Sequence, residues 1–355
     1  MSKTAAKDRT QITMRDIARM AGVSESTVSR ALAGSQLVAE HTRLRILELA
    51  RSTKYAVNEH ARNLALGQTR TIEVLFPIER GTLQRVSDPF FVDMVAELID
   101  ALSTHDYDVL LSTSPPWSEV RPGCAFLGGR ADGVIFVGQG RHREEIAEFA
   151  RDNRIVVTWG AGGRRDEGCV IGTDNVRGGY LAARHLIALG RRQIAFLGDC
   201  TLPEIEERYE GYCAALREAG MEPGDALRIN APFDIDGART VTVGLDRFGR
   251  HFDAIFAASD MIAMAAMANL QAAGARIPDD VAVVGFDDVA MAAHMHPALT
   301  TVRQNIAEGA QLMTAKIMAM LQGEKPKGEM LPAKLIIRDS CGAPLSMRQE
   351  SGDQT

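Results

Sequence analysis

The sequence predicts two parts of different class: a small all-α head of the helix-turn-helix type, and a larger α/β body of parallel sheets covered by helices. Three observations predict it. Residues 1–70 hold twelve lysines and arginines against six acids. That net +6 leaves −12 on the rest of a 355-residue chain whose total is −6. Apolar residues recur at helical spacing between Met14 and Leu32, interrupted by Gly22. Beyond Arg70, short apolar runs alternate with helical patterns, the signature of βα units.

Composition bounds the rest. At 46% hydrophobic and 24% charged the chain is ordinary globular protein, long enough for two or three domains. No apolar run approaches the ~20 residues of a membrane-spanning helix. Residues Met1 to Ile12 are polar and lack the apolar stretch of a secretion signal, so a cytoplasmic protein is expected. Cys124, Cys169, Cys200, Cys213 and Cys341 are odd in number and scattered, which speaks against a disulfide framework or a zinc site. No cofactor is expected. A basic head on an acidic body places phosphate contacts at the N-terminus.

Residues 1–11 read as a disordered polar arm. Thr13 and Asp16 form T-x-x-D, a helix start. Met14, Ile17, Ala18 and Ala21 then follow at i, i+3, i+4 and i+7, one apolar helical face. Gly22 stops that helix and Ser24 can cap a second, with Val28, Ala31 and Leu32 inward. Glu25, Ser26, Ser29 and Arg30 are left outward. Two short helices joined by "AGVS" make a helix-turn-helix, whose second helix enters the major groove with its N-terminal residues at the base edges. The pattern alone is equally compatible with a small helical cap bearing solvated charges.

The string "TMRDIARMAGVSESTVSRALAGS" closely resembles the DNA-binding domain of the lactose-repressor (LacI/GalR) family, with "GVSESTVSRAL" its most diagnostic part. The resemblance continues through "TRLRILELARSTKYAVNEHARNLALGQTRTI" and covers essentially the whole chain. It implies a DNA-binding domain over 12–57, a hinge helix and linker over 58–70, an effector and dimerisation domain over 71–342, and a polar tail over 343–355. It further implies that Glu25, Ser26 and Arg30 meet base edges and that Thr27, Ser29 and Thr42 meet phosphates. Arg15, Asn58 and Ala61 are also placed at the DNA, and Leu64 becomes a wedge in the minor groove. Chemistry agrees for Arg30, whose guanidinium matches the O6/N7 pair of guanine. Apolar wedges kink DNA in other minor-groove binders; an ordinary inward-packed helix residue is the other reading of Leu64. Three positions depart from the family: Val57 for proline, Ala39 for a capping serine, and His60 where the hinge faces its dimer mate.

The body reads "TIEVLF", a helix carrying Val92, Val95, Ile99 and Leu102, then "YDVLLST", "GVIFVG", a helix over 142–152 and "RIVVTW". There follow "CVIGTD", a helix over 175–189, "QIAFLGD", a helix over 204–219, "AIFAAS", a helix over 260–273 and "VAVVGFD". Ligands bind parallel sheets at the carboxyl ends of the strands. The family implies two Rossmann-like subdomains, as in periplasmic sugar-binding proteins. They span about 71–160 with 303–329, and about 161–299 with 330–342, with the chain crossing between them near Trp159–Thr173, Leu299–Val302 and Met330.

Candidate effector residues fall at strand ends: Asp88, Phe90 and Phe91 after the first, Trp159 ending the fourth, then Asp174, Ser259, Asp260 and Asp287. Arg208, in "EERYEGY", stands where relatives hold ligand with an arginine; Phe233 completes the set by resemblance. Aromatic faces with carboxylates and an arginine suit a sugar, a glucoside or disaccharide by a weak likeness of "DPFF" and "VTWGAG". Each residue has a plainer role open to it: a helix cap for Asp260 or Asp287, core packing for Trp159, a surface ion pair for Arg208. Gly160 replaces a sugar-binding aspartate of relatives, which would enlarge the cleft and fit a bulkier sugar.

The expectation is a repressor that binds pseudo-palindromic double-stranded operator DNA as a homodimer, with no membrane partner. The same architecture is compatible with a nucleobase effector or with activation. An oxidoreductase is the enzyme alternative, from the glycines of "VTWGAGGRR". However, G-x-G-x-x-G from Gly160 meets Arg165 at its last position. His294 and His296 lack a third metal ligand in sequence.

Overall fold

The structure, a computed structural model, describes residues 12–32, 35–53, 55, 68–78, 85–118, 124–162, 168–232, 240 and 252–347. The arm over 1–11, the hinge over 58–66 with Asn58, Ala61 and Leu64, and Phe233 lie outside the described residues. So do Val57 and His60. The chain divides into two compact units, Met1–Thr69 and Arg70–Thr355.

The first unit is three helices: α1 (Met14–Ala21), α2 (Glu25–Leu32) and α3 (Glu40–Ser52). The Asp16 backbone N–H donates to Thr13 Oγ1 at 3.3 Å and the Thr13 N–H to Asp16 Oδ2 at 3.1 Å, closing a capping box. Gly22 ends α1 at φ +66°, a left-handed conformation that only glycine adopts cheaply. Ser24 accepts from the Thr27 N–H at 3.2 Å and so starts α2. Ile17, Ala18, Ala21, Val28, Ala31, Val38 and Ile46 form the core. Ala39 opens α3 with no side-chain cap, as its side chain dictates.

The second unit holds two six-stranded sheets. In the first lobe the order is β11–β5–β4–β3–β1–β2. Its strands are β1 (Thr71–Leu75), β2 (Asp108–Ser112), β3 (Gly133–Val137), β4 (Val156–Trp159), β5 (Cys169–Thr173) and β11 (Glu329–Leu331). Helices α4 (Pro89–Ser103), α5 (Arg143–Asp152) and α9 (Ile306–Leu321) belong to this stretch of chain. In the second lobe the order is β12–β10–β9–β8–β6–β7. Here the strands are β6 (Ile194–Leu197), β7 (Arg228–Ile229), β8 (Ala254–Ala257), β9 (Ala282–Asp287), β10 (Thr300–Arg303) and β12 (Lys334–Ile336). Its helices are α6 (Asn175–Ala188), α7 (Pro203–Glu218) and α8 (Asp260–Ala272). Every pairing is parallel except β10 with β12. Central strands such as Gly133–Val137 are buried on both faces and therefore read as unbroken apolar runs.

The three crossings between lobes fall at or just beyond the far ends of the stretches expected from sequence, so the lobe spans shift. The first comes after Thr173 and not as early as 160, because the apolar strand β5 pairs with β4 and β11 in the first sheet. The second comes after Arg303 and the third after Leu331, again set by sheet membership. Ala343, placed in the tail by sequence, is buried in the second lobe's core. Arg70 belongs to the body instead of the basic head. Its N–H donates to Asp132 Oδ2 at 2.9 Å and its guanidinium stacks 5.2 Å from the Tyr107 ring centre.

Candidate functional site

Two surfaces carry chemistry, one on each unit. On the first, Arg15, Glu25, Ser26, Ser29 and Arg30 are exposed, while Thr27 and Thr42 are half-buried. Inward, α2 spends Val28 and Ala31 on the core, so Arg30 is forced outward. Nearby cations are engaged: Arg19 with Asp16 at 2.8 Å and Arg43 with Glu40 at 3.6 Å. Among the described residues Arg30 has no ion pair, which leaves its fork available. Thr27 and Ser26 share hydroxyl contacts with Ser24 at 2.8 and 2.9 Å. Thr42 Oγ1 lies 3.1 Å from His41 Nε2.

In the body a cavity of about 690 Å³, counting its open mouth, lies between the lobes at the carboxyl ends of both sheets. From the first lobe come Pro77, Ile78, Phe90, Phe91, Val137 and Trp159, with Thr173 the polar side chain. From the second come Asn175, Glu204, Arg208 and Asp287, beside Leu202 and Ile205; Gln304 stands at the second crossing. Thus Phe90, Phe91, Trp159, Arg208 and Asp287, expected from sequence, meet in one cavity.

Arg208 and Asp287 are both buried and 3.8 Å apart. Arg208 Nε donates to Asn175 Oδ1 at 2.9 Å and Nη1 donates to the Ala258 carbonyl at 2.5 Å. Its guanidinium lies 3.7 Å from the centre of the Phe286 ring. Asp287 accepts from Gln304 Nε2 at 2.7 Å and sits at φ +122°, a strained conformation for any residue with a Cβ. Burial raises the Asp287 carboxyl well above the usual range; Arg208 opposes this, and Asp88 adds to it. Burial likewise raises Asp88 to about 6 and Glu207 to about 7, and raises Glu204. Glu204 Oε1 accepts from the Gln139 N–H at 3.2 Å, a bond from lobe to lobe. Arg141 and Asp199, 3.3 Å apart, make another.

Four expected residues do other work. Asp88 caps α4 by accepting from the Phe90 N–H at 3.0 Å; it is outside the lining but close enough to bear on Asp287. Asp174 is exposed and caps α6 through the Arg177 N–H at 2.8 Å. Ser259 caps α8 through the Ile262 N–H at 3.2 Å. Asp260 is buried, accepting from the Val289 N–H at 2.9 Å and the Thr301 hydroxyl. Asp174, Ser259 and Asp260 are absent from the cavity lining; their oxygens are turned to backbone donors and, for Asp260, to the Thr301 hydroxyl as well. Gly160 does line it, yet the cavity is not enlarged there. A Cβ at Gly160 would lie 2.6 Å from the Gln139 side chain, whose Oε1 accepts from the Ala161 N–H at 3.1 Å. After Gly162 the next described element is strand β5, not the helix a dinucleotide loop requires.

Asn175, Glu204, Gln304 and Thr173 were missed. Glu204 had a signal, lying four residues before Arg208 on one helical face. Asn175 directly follows the expected Asp174. Gln304 and Thr173 had none in the local pattern.

The raised carboxyls imply a pH dependence. Asp88 and Glu207 titrate near 6 and 7 in the fold but near 4 unfolded. Between those values the native state holds more protons than the unfolded one, so stability falls as pH rises from about 4 to 7 and then levels. Asp88→Asn keeps the cap, since asparagine caps as well as aspartate, and is expected to flatten that fall. Thermal unfolding of the full chain between pH 5 and 8 measures it; an unchanged slope in the variant would remove Asp88 as a cause.

Comparison with known proteins agrees with this geometry. Residues 13–58 match the family model described as bacterial regulatory proteins, lacI family, and residues 183–341 match a periplasmic binding protein-like domain. The chain is similar to the HTH-type transcriptional regulator CelR of Thermobifida fusca, 31% identical over 94% of this chain and 99% of that protein. It is also similar to the regulator GalR of Escherichia coli, 30% identical over 94% and 96%. Among solved structures, a CelR–cellobiose complex superposes with TM-score 0.69 at 29% identity, covering 93% of this chain and 99% of the other. The lac repressor dimer bound to operator and the anti-inducer ONPF superposes at 0.81 and 24% identity, covering 94% and 99%, a likeness of fold.

Proposed function

This chain belongs to the LacI family of bacterial regulatory proteins, and on that premise we propose that it is a transcriptional repressor whose operator affinity is set by a sugar bound between the lobes of its body. The observation that carries the effector reading is the cavity, where aromatic side chains face the buried Arg208–Asp287 pair. Rings can cover the C–H face of a sugar while the carboxylate, guanidinium and amides hold its hydroxyls. A sugar is also what the complexed relative holds, cellobiose in that case. A ligand touching both lobes favours one lobe orientation and can shift operator affinity only by its difference in affinity between orientations.

The relatives are regulators, not enzymes, and we extend that to this chain. No described helix is long and apolar enough to cross a membrane, and we place the protein in the cytoplasm with its DNA. A homodimer suits two half-sites. Val92 and Ile99, seven residues apart on α4, and Leu111 on the edge strand β2 expose the apolar surface it needs.

Two measurements test the reading. Operator binding of the full chain, titrated with sugars, is expected to change with at least one; indifference to all of them would overturn the sensor. Arg30→Ala is expected to cost about 1–3 kcal/mol, concentrated at one base pair of each half-site. The fold survives, because α2 packs through Val28 and Ala31. Competition against operators altered one base pair at a time reads this out. A uniform loss across all of them would make Arg30 a phosphate contact.

A further inference from the structure

The cavity has two unlike walls. The second lobe supplies Asn175, Glu204, Arg208 and Asp287, with Gln304 beside them. The first lobe's side chains are Pro77, Ile78, Phe90, Phe91, Val137 and Trp159, with Thr173 at the crossing beside Asn175; its hydrogen-bonding groups are the Trp159 indole and the Thr173 hydroxyl, at the edge of an otherwise apolar wall. Resting on the reading of the cavity as a sugar site, we propose that the effector is an uncharged glycoside with an aromatic aglycone, its sugar against the second lobe and its ring against the first.

The aromatic wall is organised for a further ring. Phe76 meets Phe91 edge to face at 5.1 Å, Phe91 meets Phe90 at 5.8 Å, and Phe90 meets Trp159 at 6.4 Å and 44°. Phe90, Phe91 and Trp159 are the members of that run that reach the cavity, so an incoming ring extends it at spacings that aromatic pairs favour. A second sugar ring would fit differently. Its rim of hydroxyls, brought against Ile78, Phe90 and Phe91, loses water with few partners, and each such loss weakens binding. A sugar needs its partners at one end only, and the second lobe provides them there.

Charge narrows the class. Among the described residues that line the cavity, Arg208 is the basic side chain. It is already held by Asn175, the Ala258 carbonyl and Asp287, and stacked on Phe286. Glu204 and Asp287 line the same space, with Asp88 within electrostatic reach. A phosphate or uronate brought here would meet more carboxylates than guanidinium, whereas an uncharged glycoside meets hydroxyl acceptors.

The test is a thermal-shift and calorimetric panel on the full chain. It pairs p-nitrophenyl and methyl glycosides of the same sugars, in both anomers, with the matching disaccharides and hexose 6-phosphates. For the sugar that binds, the p-nitrophenyl glycoside is expected to be at least about tenfold tighter than the methyl glycoside and tighter than the disaccharide, and the phosphate to give no shift. Phe90→Ser is expected to reduce the aryl advantage. Ile78→Ser, at a half-buried position, does the same with less risk to folding. A disaccharide or methyl glycoside that matches the aryl compound, a binding phosphate, or an aryl advantage unchanged in both variants overturns the proposal while leaving the sugar sensor standing. A panel with no binder at all would instead sink the sugar reading itself.

Discussion

Gly211→Ala is expected to destabilise the body by about 3 kcal/mol, which lowers its unfolding temperature by roughly 6–12 °C. Helix propensity argues the other way, since alanine inside a helix is favoured over glycine by about 1 kcal/mol. Contact decides the sign. A Cβ at Gly211 would lie 1.9 Å from the Val176 carbonyl oxygen and 2.7 Å from the Tyr180 nitrogen. Across the same seam, a Cβ at Gly179 would lie 2.0 Å from the Arg208 carbonyl oxygen. The opposing atoms are backbone, so no rotamer change relieves the collision and α6 must move away from α7. Gly224 is the control: a Cβ there meets nothing within 4 Å, so Gly224→Ala should be near neutral. Chemical or thermal unfolding of the three proteins reads the result; equal midpoints for Gly211→Ala and wild type would show that the helices slide apart without cost. Because Gly179 abuts the Arg208 backbone, this close approach also sets where the guanidinium enters the cavity.

Local pattern carried the head and failed on the seams of the body. The head is written within some forty residues: a capping box at Thr13, a left-handed stop at Gly22, apolar positions at helical spacing. Strands buried on both faces were equally visible as apolar runs. What no run states is which sheet it joins. "CVIGT" reads the same in either lobe, and only its pairing with β4 and β11 assigns it to the first. The site split along a similar line. Large aromatics and the Arg208–Asp287 pair stood out by type and position. Asp174, Ser259 and Asp260 had the right type at the right strand ends, yet the open N–H groups of a following helix claim the oxygens of Asp174 and Ser259, and the Val289 N–H and Thr301 hydroxyl claim those of Asp260. Gly160 misled because its vacancy is filled by Gln139, twenty-one residues earlier in sequence.

Arg208→Met is expected to abolish the response to effector while sparing operator affinity in its absence. The guanidinium is buried, and removing it strips donors from Asn175 Oδ1 and the Ala258 carbonyl and the counter-charge from Asp287 together. Breaking a buried charge pair by deleting one partner typically costs about 3–5 kcal/mol. The lower end is expected here, because the pair is 3.8 Å apart and Gln304 still holds Asp287 at 2.7 Å. Without the cation, the Asp287 carboxyl loses the influence that opposes its burial and takes up a proton. A protonated Asp287 no longer offers a sugar hydroxyl a charged acceptor, so both halves of the pair fail at once. Arg208→Lys should recover little: an ammonium keeps the charge but cannot bridge Asn175 and the Ala258 carbonyl with one planar fork. The head folds on its own core of Ile17, Val28 and Ile46, which neither change touches. Such a protein should remain on its operator at every effector concentration, a permanent repressor. Operator affinity of both variants with and without the identified sugar is the measurement. A wild-type response in Arg208→Met would move the effector out of this cavity.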